Sequence, residues 1–195
     1  MGSGERTVVK LVAAGEALGV TPGMPVRDTA PAFEEVYQSN AARVYRYCLS
    51  QVSDRSDAED LAADVFAAAY RAYPSADLPA GTVLPWLLRI ARNAIIDHRR
   101  KHTRRSTIVA RFFGSSSEAD PAVDVAGEVV LREEVREVIG AMRHLSDKDR
   151  TVIGLRIAAG LPYAEVGAVL GISEHAATMA TRRALTRLRR HVEVP

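Results

Sequence analysis

From residue 33 onward the apolar side chains recur three or four positions apart, and no stretch alternates apolar with polar as a half-buried strand must. Phe33, Val36, Tyr37, Val44, Tyr47 and Cys48 set the pattern, and Ala58, Leu61, Ala62, Val65, Phe66 and Ala69 continue it. This is the spacing of one helix face. The core has to be built from helices packed on helices, so an all-α fold class is expected. The 195 residues suffice for one domain or two small ones with a real core.

Breaks in that pattern set the domain organisation. Residues 1–31 are rich in Gly, Pro and small side chains and read as a mobile N-terminal extension, with one short helix around 8–18. A turn at 53–56 separates the first two helices, and Asp57, Glu59 and Asp60 favour the positive end of the second. PSADLPAGT (74–82) is a loop by its Pro, Gly and Asp content. In the third helix Leu84, Leu87, Leu88, Ala91 and Ile95 form a stripe with Trp86 at its edge. Burying Leu87 and Leu88 contributes about 1.5–3 kcal/mol each. Periodicity is lost over 105–125, where GSSSEADPAVD has linker composition, although Phe112 and Phe113 are out of character there. A second block begins with an amphipathic stretch at 129–145. Ser146 caps a helix that stops at Gly160, Pro162 opens the short helix YAEVGAVL that ends at Gly171, and Ser173 caps a last helix to about Arg190. The expected layout is two small helical domains, 32–105 and 128–195, joined by a flexible linker at 106–127.

Charge is ordinary in total and segregated in detail. Net charge is +2, with 47% hydrophobic and 26% charged residues, so the total implies no partner. Residues 54–64 hold five acids and one Arg, whereas 182–190 hold five Arg and no acid. LPWLLRIARNAIIDHRRKHTRR (84–105) holds seven Lys or Arg and a single acid, Asp97. Such segregation points to separate surfaces for separate partners. A solvated helix face usually interleaves both signs. A face carrying Arg89, Arg92, Arg99, Arg100, Lys101, Arg104 and Arg105 instead suits a nucleic-acid backbone.

Several function classes are excluded. There is no Gly-rich phosphate loop, nucleophile elbow or Cys-His pair with an orienting group, so neither enzyme nor cofactor is expected. His98 and His102 stand one turn apart without further ligands, so no metal site is expected. The single Cys48 permits no intramolecular disulfide and reads as a small core residue. No run approaches a membrane span, and Lys10 and Glu16 interrupt the one stretch (8–20) resembling a signal-peptide core. A cytoplasmic protein is expected.

The sharpest constellation is YAEVGAVLGISEHAATMATRRALTRLRR (163–190). A short helix, a glycine turn and a capped second helix make a helix-turn-helix, with Gly167 allowing close contact and Ile172 and Ala177 plugging the joint. Such a unit places the start of its second helix in the major groove. Glu174, His175, Thr178 and Met179 would face base edges, and Arg182, Arg183 and Arg187 would meet phosphates.

The order DAEDLAADVFAAAYRAY, PWLLRIARNAIIDHRRK, linker, LSDKDRTVIGLRIAAGLPYAEVGAVLGIS resembles bacterial RNA polymerase sigma factors of the extracytoplasmic-function (ECF) type, over about 33–105 and 129–190. The resemblance implies a first domain that binds the polymerase clamp and the melted minus-ten element, and a second that reads the minus-thirty-five duplex. Carried over by position, Asp57, Glu59, Asp60 and Asp64 form the polymerase-facing surface. The loop 74–82 with Arg89, Arg92 and Asn93 holds an unstacked base and its strand, and Arg99, Arg100, Lys101 and Arg104 extend the cationic track. The implied partners are core RNA polymerase, promoter DNA and an anti-sigma factor. Two departures stand out. Ala63 replaces a usual Gln, which alters the clamp contact, and Ala176, Ala177, Thr178, Met179 and Ala180 replace Thr-Val-Lys-Ser-Arg. Two missing cations would cost about 1–3 kcal/mol each if they made bidentate base contacts, so weak or unusual minus-thirty-five reading is expected. A free-standing helix-turn-helix regulator is the alternative, and a decoy that occupies polymerase is a third.

Overall fold

Among the described residues, seven helices and two short turns of other helical type account for the regular structure. The computed structural model describes residues 32–52, 54–79, 81–113 and 133–192, with side chains described to residue 104 and from residue 138. The first block consists of α1 (Phe33–Leu49), α2 (Arg55–Ala72) with a 3-10 turn (Tyr73–Ser75), and α3 (Val83–Phe113). The second consists of α4 (Glu133–Met142), α5 (Asp147–Ile153), a π-helical turn (Gly154–Ala158), α6 (Tyr163–Leu170) and α7 (Glu174–Val192). No strand occurs among the described residues.

In the first block the apolar stripes meet as their spacing requires. Val36, Val44, Tyr47 and Cys48 of α1, Ala58, Leu61, Val65 and Ala69 of α2, and Leu84, Leu87, Leu88, Ala91 and Ile95 of α3 are all buried. Asp54 starts α2 by accepting the amides of Ser56 (2.6 Å) and Asp57 (3.2 Å), which satisfies two of the orphan donors of a helix N-terminus. The end of α3 corrects the expected linker boundary. The helix runs through Phe113, because RSTIVARFF contains no Gly or Pro before Gly114. The expectations for 1–31 and 114–127, and for the surroundings of Phe112 and Phe113, lie outside the described residues.

The second block closes around Val138, Met142, Val152, Leu155, Leu161, Val166, Ala177, Ala184 and Leu188. The Ser146 hydroxyl accepts the Asp149 amide at 3.2 Å and caps α5. Gly171, at φ 71°, ends α6 in the left-handed region open to glycine. Ser173 caps α7 by accepting the Ala176 amide at 3.2 Å. A Cβ on Gly167 would stand 2.7 Å from the Ile172 carbonyl, so the two helices of the helix-turn-helix approach as closely as glycine allows. Ala177 plugs that joint as expected. Ile172 does not: it is 41% exposed, because the turn after Gly171 carries it out toward the first block.

The two blocks do not stand apart on a tether. α3 packs on α6, α1 packs on the π-helical turn, and the buried side chains form one continuous cluster.

Candidate nucleic-acid interface

The apolar stripe of α3 turns its cationic side outward. Arg89, Asn93, Arg100, Lys101 and Arg104 are exposed, and Arg92 and Arg99 are half-buried. No carboxylate among the described residues is within ion-pair distance of Arg89, Arg92, Lys101 or Arg104, while Arg100 stands 3.6 Å from Asp97. Arg92, Arg99, Arg100 and Arg104 form one wall of a cleft of about 1040 Å³. Lys148 and Thr151 of α5 stand opposite, and Ile96, Val152, Leu170 and Ile172 form an apolar floor. Lys148, which was not singled out from the sequence, joins this field only because α5 lies opposite α3.

Arg99 departs from the free-cation expectation. Its Nη1 is 3.0 Å from Asp147 Oδ1, and its Nη2 donates to the Gln51 carbonyl (3.2 Å) and to Gln51 Oε1 (3.1 Å). The seam continues from there. Gln51 Nε2 donates to the Arg150 carbonyl at 3.0 Å, Arg43 donates to the carbonyls of Ala159 (2.7 Å) and Gly160 (3.0 Å), and Arg46 donates to that of Ala158 (3.1 Å). Burial lowers the pKa of Arg43, Arg46 and Arg150, with the Glu165 carboxylate opposing the shift at Arg43. All three remain charged at neutral pH. Burial in turn raises the Glu165 carboxyl.

On α7, Ala177, Thr181, Ala184 and Leu188 face the core, leaving Glu174, His175, Met179, Arg182 and Arg183 exposed. Thr178 is half-buried and bonds the Glu174 carbonyl at 3.0 Å, so its hydroxyl is already engaged. Arg187 also departs from expectation. Its Nη1 reaches both carboxylate oxygens of Asp149, at 2.8 and 2.7 Å. Asp149 is nearly buried, whereas Arg187 remains 55% exposed. The pair ties α7 to the start of α5.

The acidic side of α2 divides in two. Asp57 Oδ2 lies 3.4 Å from His98 Nε2, and Glu59 pairs with Arg55 at 2.8 Å. Asp60 and Asp64 are exposed with no cation within ion-pair distance among the described residues. No group of three His, Cys, Asp or Glu that could hold a metal occurs among the described residues, and His98 serves Asp57 instead. No helix among them is long and apolar enough to cross a membrane.

Residues 36–105 match Sigma-70 region 2 and residues 141–190 match Sigma-70, region 4. The chain is 37% identical over 145 residues to the ECF RNA polymerase sigma factor SigM of Bacillus subtilis (strain 168), covering 72% of this chain and 83% of that protein. The chain belongs to the ECF RNA polymerase sigma factors. It is also 33% identical over 152 residues to SigK of Mycobacterium sp. (strain KMS), 77% of each chain. Among solved structures, the sigma factor RpoE in complex with the anti-sigma factor NepR from Bartonella quintana aligns with TM-score 0.65 and 25% identity, over 83% of this chain and 97% of that one. CnrH, in complex with the cytosolic domain of CnrY, aligns with TM-score 0.55 at 22% identity over 93% and 94% of the two chains and shares the fold. An ECF sigma factor serves promoter-specific initiation by RNA polymerase, and that is the function of this chain. The two matched regions correspond to the two helical blocks.

Proposed function

We propose that this sigma factor divides its task among three surfaces. Asp60 and Asp64, with Asp57 and Glu59 beside them, face the polymerase clamp. Arg89, Arg92 and Asn93, extended by Arg100, Lys101 and Arg104, follow the melted minus-ten strand beside the segment 74–82. His175, Met179, Arg182 and Arg183 approach the minus-thirty-five duplex. The observation that carries this division is the separation of unpaired charge. Asp60 and Asp64 of α2 and Arg89, Arg92, Lys101 and Arg104 of α3 belong to one packed block and have no ion-pair partner among the described residues, and only Asp57 reaches across, to His98.

The duplex reading is weak, because Ala176 to Ala180 offer no cation and Arg187 is held by Asp149. The protein performs no catalysis. It works in the cytoplasm and supplies binding free energy that favours the open promoter. The neighbour RpoE is bound by an anti-sigma factor, which supports an inhibitor of that kind as a further partner here.

Two double variants test the division. Arg92→Ala with Asn93→Ala should leave co-purification with core polymerase intact while open-complex formation falls and its salt slope shrinks by about one. Asp60→Lys with Asp64→Lys should release the polymerase first. Equal loss of both activities in either variant refutes the assignment of faces.

A further inference from the structure

Side-chain hydrogen-bonding capacity is nearly absent from the first two turns of α7, the part of a helix-turn-helix that enters the major groove. Ala176, Ala177 and Ala180 carry none. Thr178 spends its one hydroxyl proton on the Glu174 carbonyl at 3.0 Å. That leaves Met179, which is 39% exposed. Helical phase puts it in the middle of the outward ridge, because Ala177, Thr181, Ala184 and Leu188 define the opposite, buried side. His175 stands one turn before it and Arg182 and Arg183 one turn after, all three exposed. Neither arginine has an ion-pair partner among the described residues.

A lone methionine on a protein surface needs no explanation. This one lies beside two unpaired guanidinium groups, so a duplex whose phosphates meet them sets a base edge against the Met179 thioether. Base edges in the major groove present acceptors and amino donors, and the one apolar group among them is the C5-methyl of thymine. Packing Met179 on that methyl takes two apolar groups out of water together. Placed over a polar edge, the same side chain would strip water from donors and acceptors and return no hydrogen bond. Ala176 and Ala180, half-buried on the flank, add no bulk that would hold the helix away from the groove floor.

We propose that Met179 is the specificity-determining residue of the second block, and that it selects a thymine in the minus-thirty-five duplex through the methyl group of that base. The inference rests on the assignment of α7 to that duplex. Arg182 and Arg183 add affinity without preference, since phosphates are alike at every base pair. Met179 makes the choice. A surface poor in hydrogen bonds thereby still discriminates.

All measurements use holoenzyme assembled from core polymerase and the full-length chain. Duplexes randomised over a promoter-length segment are selected by binding and sequenced. Each thymine fixed in the upstream part is then replaced singly by deoxyuridine, which pairs identically and lacks only the methyl group. One replacement should weaken binding about fourfold, the factor contributed by burying one methyl-sized group. Met179→Leu keeps the apolar volume and should preserve that ratio. Met179→Ala should bind the thymine and deoxyuridine duplexes equally, and its own selection should no longer fix that thymine. Circular dichroism should show unchanged helicity for both variants, as expected for an outward side chain.

Arg182→Ala with Arg183→Ala tests the placement of α7 separately. The double variant should weaken binding to all duplexes alike and reduce the salt slope by about two. Unchanged affinity and slope would refute that placement and the methyl reading with it. If the double variant behaves as expected but every deoxyuridine replacement is neutral, or Met179→Ala keeps the fourfold ratio, the placement stands and thymine selection by Met179 is overturned. It is overturned equally if Met179→Ala weakens both duplexes by one common factor, the mark of a protein contact at this ridge.

Discussion

Asp149→Ala offers a direct measure of what holds α7 in place. The Asp149 carboxylate receives Arg187 Nη1 at 2.8 and 2.7 Å and the Ser146 hydroxyl at 2.8 Å. Its side chain is only 12% exposed, against 55% for Arg187. Hydrogen bonds to a charged group contribute about 1.5–3 kcal/mol. Because Arg187 is more than half in water, its share is screened to about 1 kcal/mol or less. The bond from Ser146 adds about 1 kcal/mol, and the Ser146 cap on the Asp149 amide survives the substitution. The sum is about 2 kcal/mol. For a protein of this size each kcal/mol shifts Tm by about 2–4 °C, so thermal denaturation followed by circular dichroism should show a fall of about 4–8 °C. Arg187→Ala should lose about half as much, and the two together should fall short of additivity by at least about 0.5 kcal/mol. An unchanged Tm for Asp149→Ala, or strict additivity, would show that the pair merely decorates the surface and does not fix α7.

Gly167→Ala should destabilise the helix-turn-helix, since its Cβ would fall 2.7 Å from the Ile172 carbonyl and backbone cannot yield cheaply; a loss of about 1–3 kcal/mol is expected by denaturant titration, as for overpacking in general. Tyr47→Phe should be neutral or stabilising by up to about 1 kcal/mol in the same assay, because the buried Tyr47 hydroxyl, near Thr151, makes no full hydrogen bond and its removal relieves desolvation. Alkaline stability should decline. Burial pushes the Cys48 thiol up to about 12 and raises the Tyr47 phenol as well. Both groups have folded pKa values above their unfolded ones, so their contribution is complete below about pH 9 and is lost as pH rises toward 12. Cys48→Ala should remove the part of that decline that begins near pH 9, and identical pH profiles for variant and wild type would contradict it.

Helix existence, helix ends and the two-block order were legible in the residues because they depend on short-range physics. Apolar side chains three or four apart can meet only on a helix face, Ser146 and Ser173 satisfy amides three positions on, and Gly171 supplies a backbone conformation that side chains disfavour. The segregated charges of α2, α3 and α7 were likewise visible, since charge and helical phase together fix the face.

What only the tertiary structure decided is which charges stay free. Arg99 and Arg187 read as cations equal to their neighbours, yet Asp147 and Asp149 neutralise them. Gln51, with nothing in its local sequence to mark it, becomes a hydrogen-bonded bridge between the blocks. A guanidinium at the end of a long side chain takes its partner from whatever the packing brings within a few ångströms. That partner lies 38 residues away for Arg187, and 48 for Arg99 and Gln51. Local periodicity carries no information across such separations.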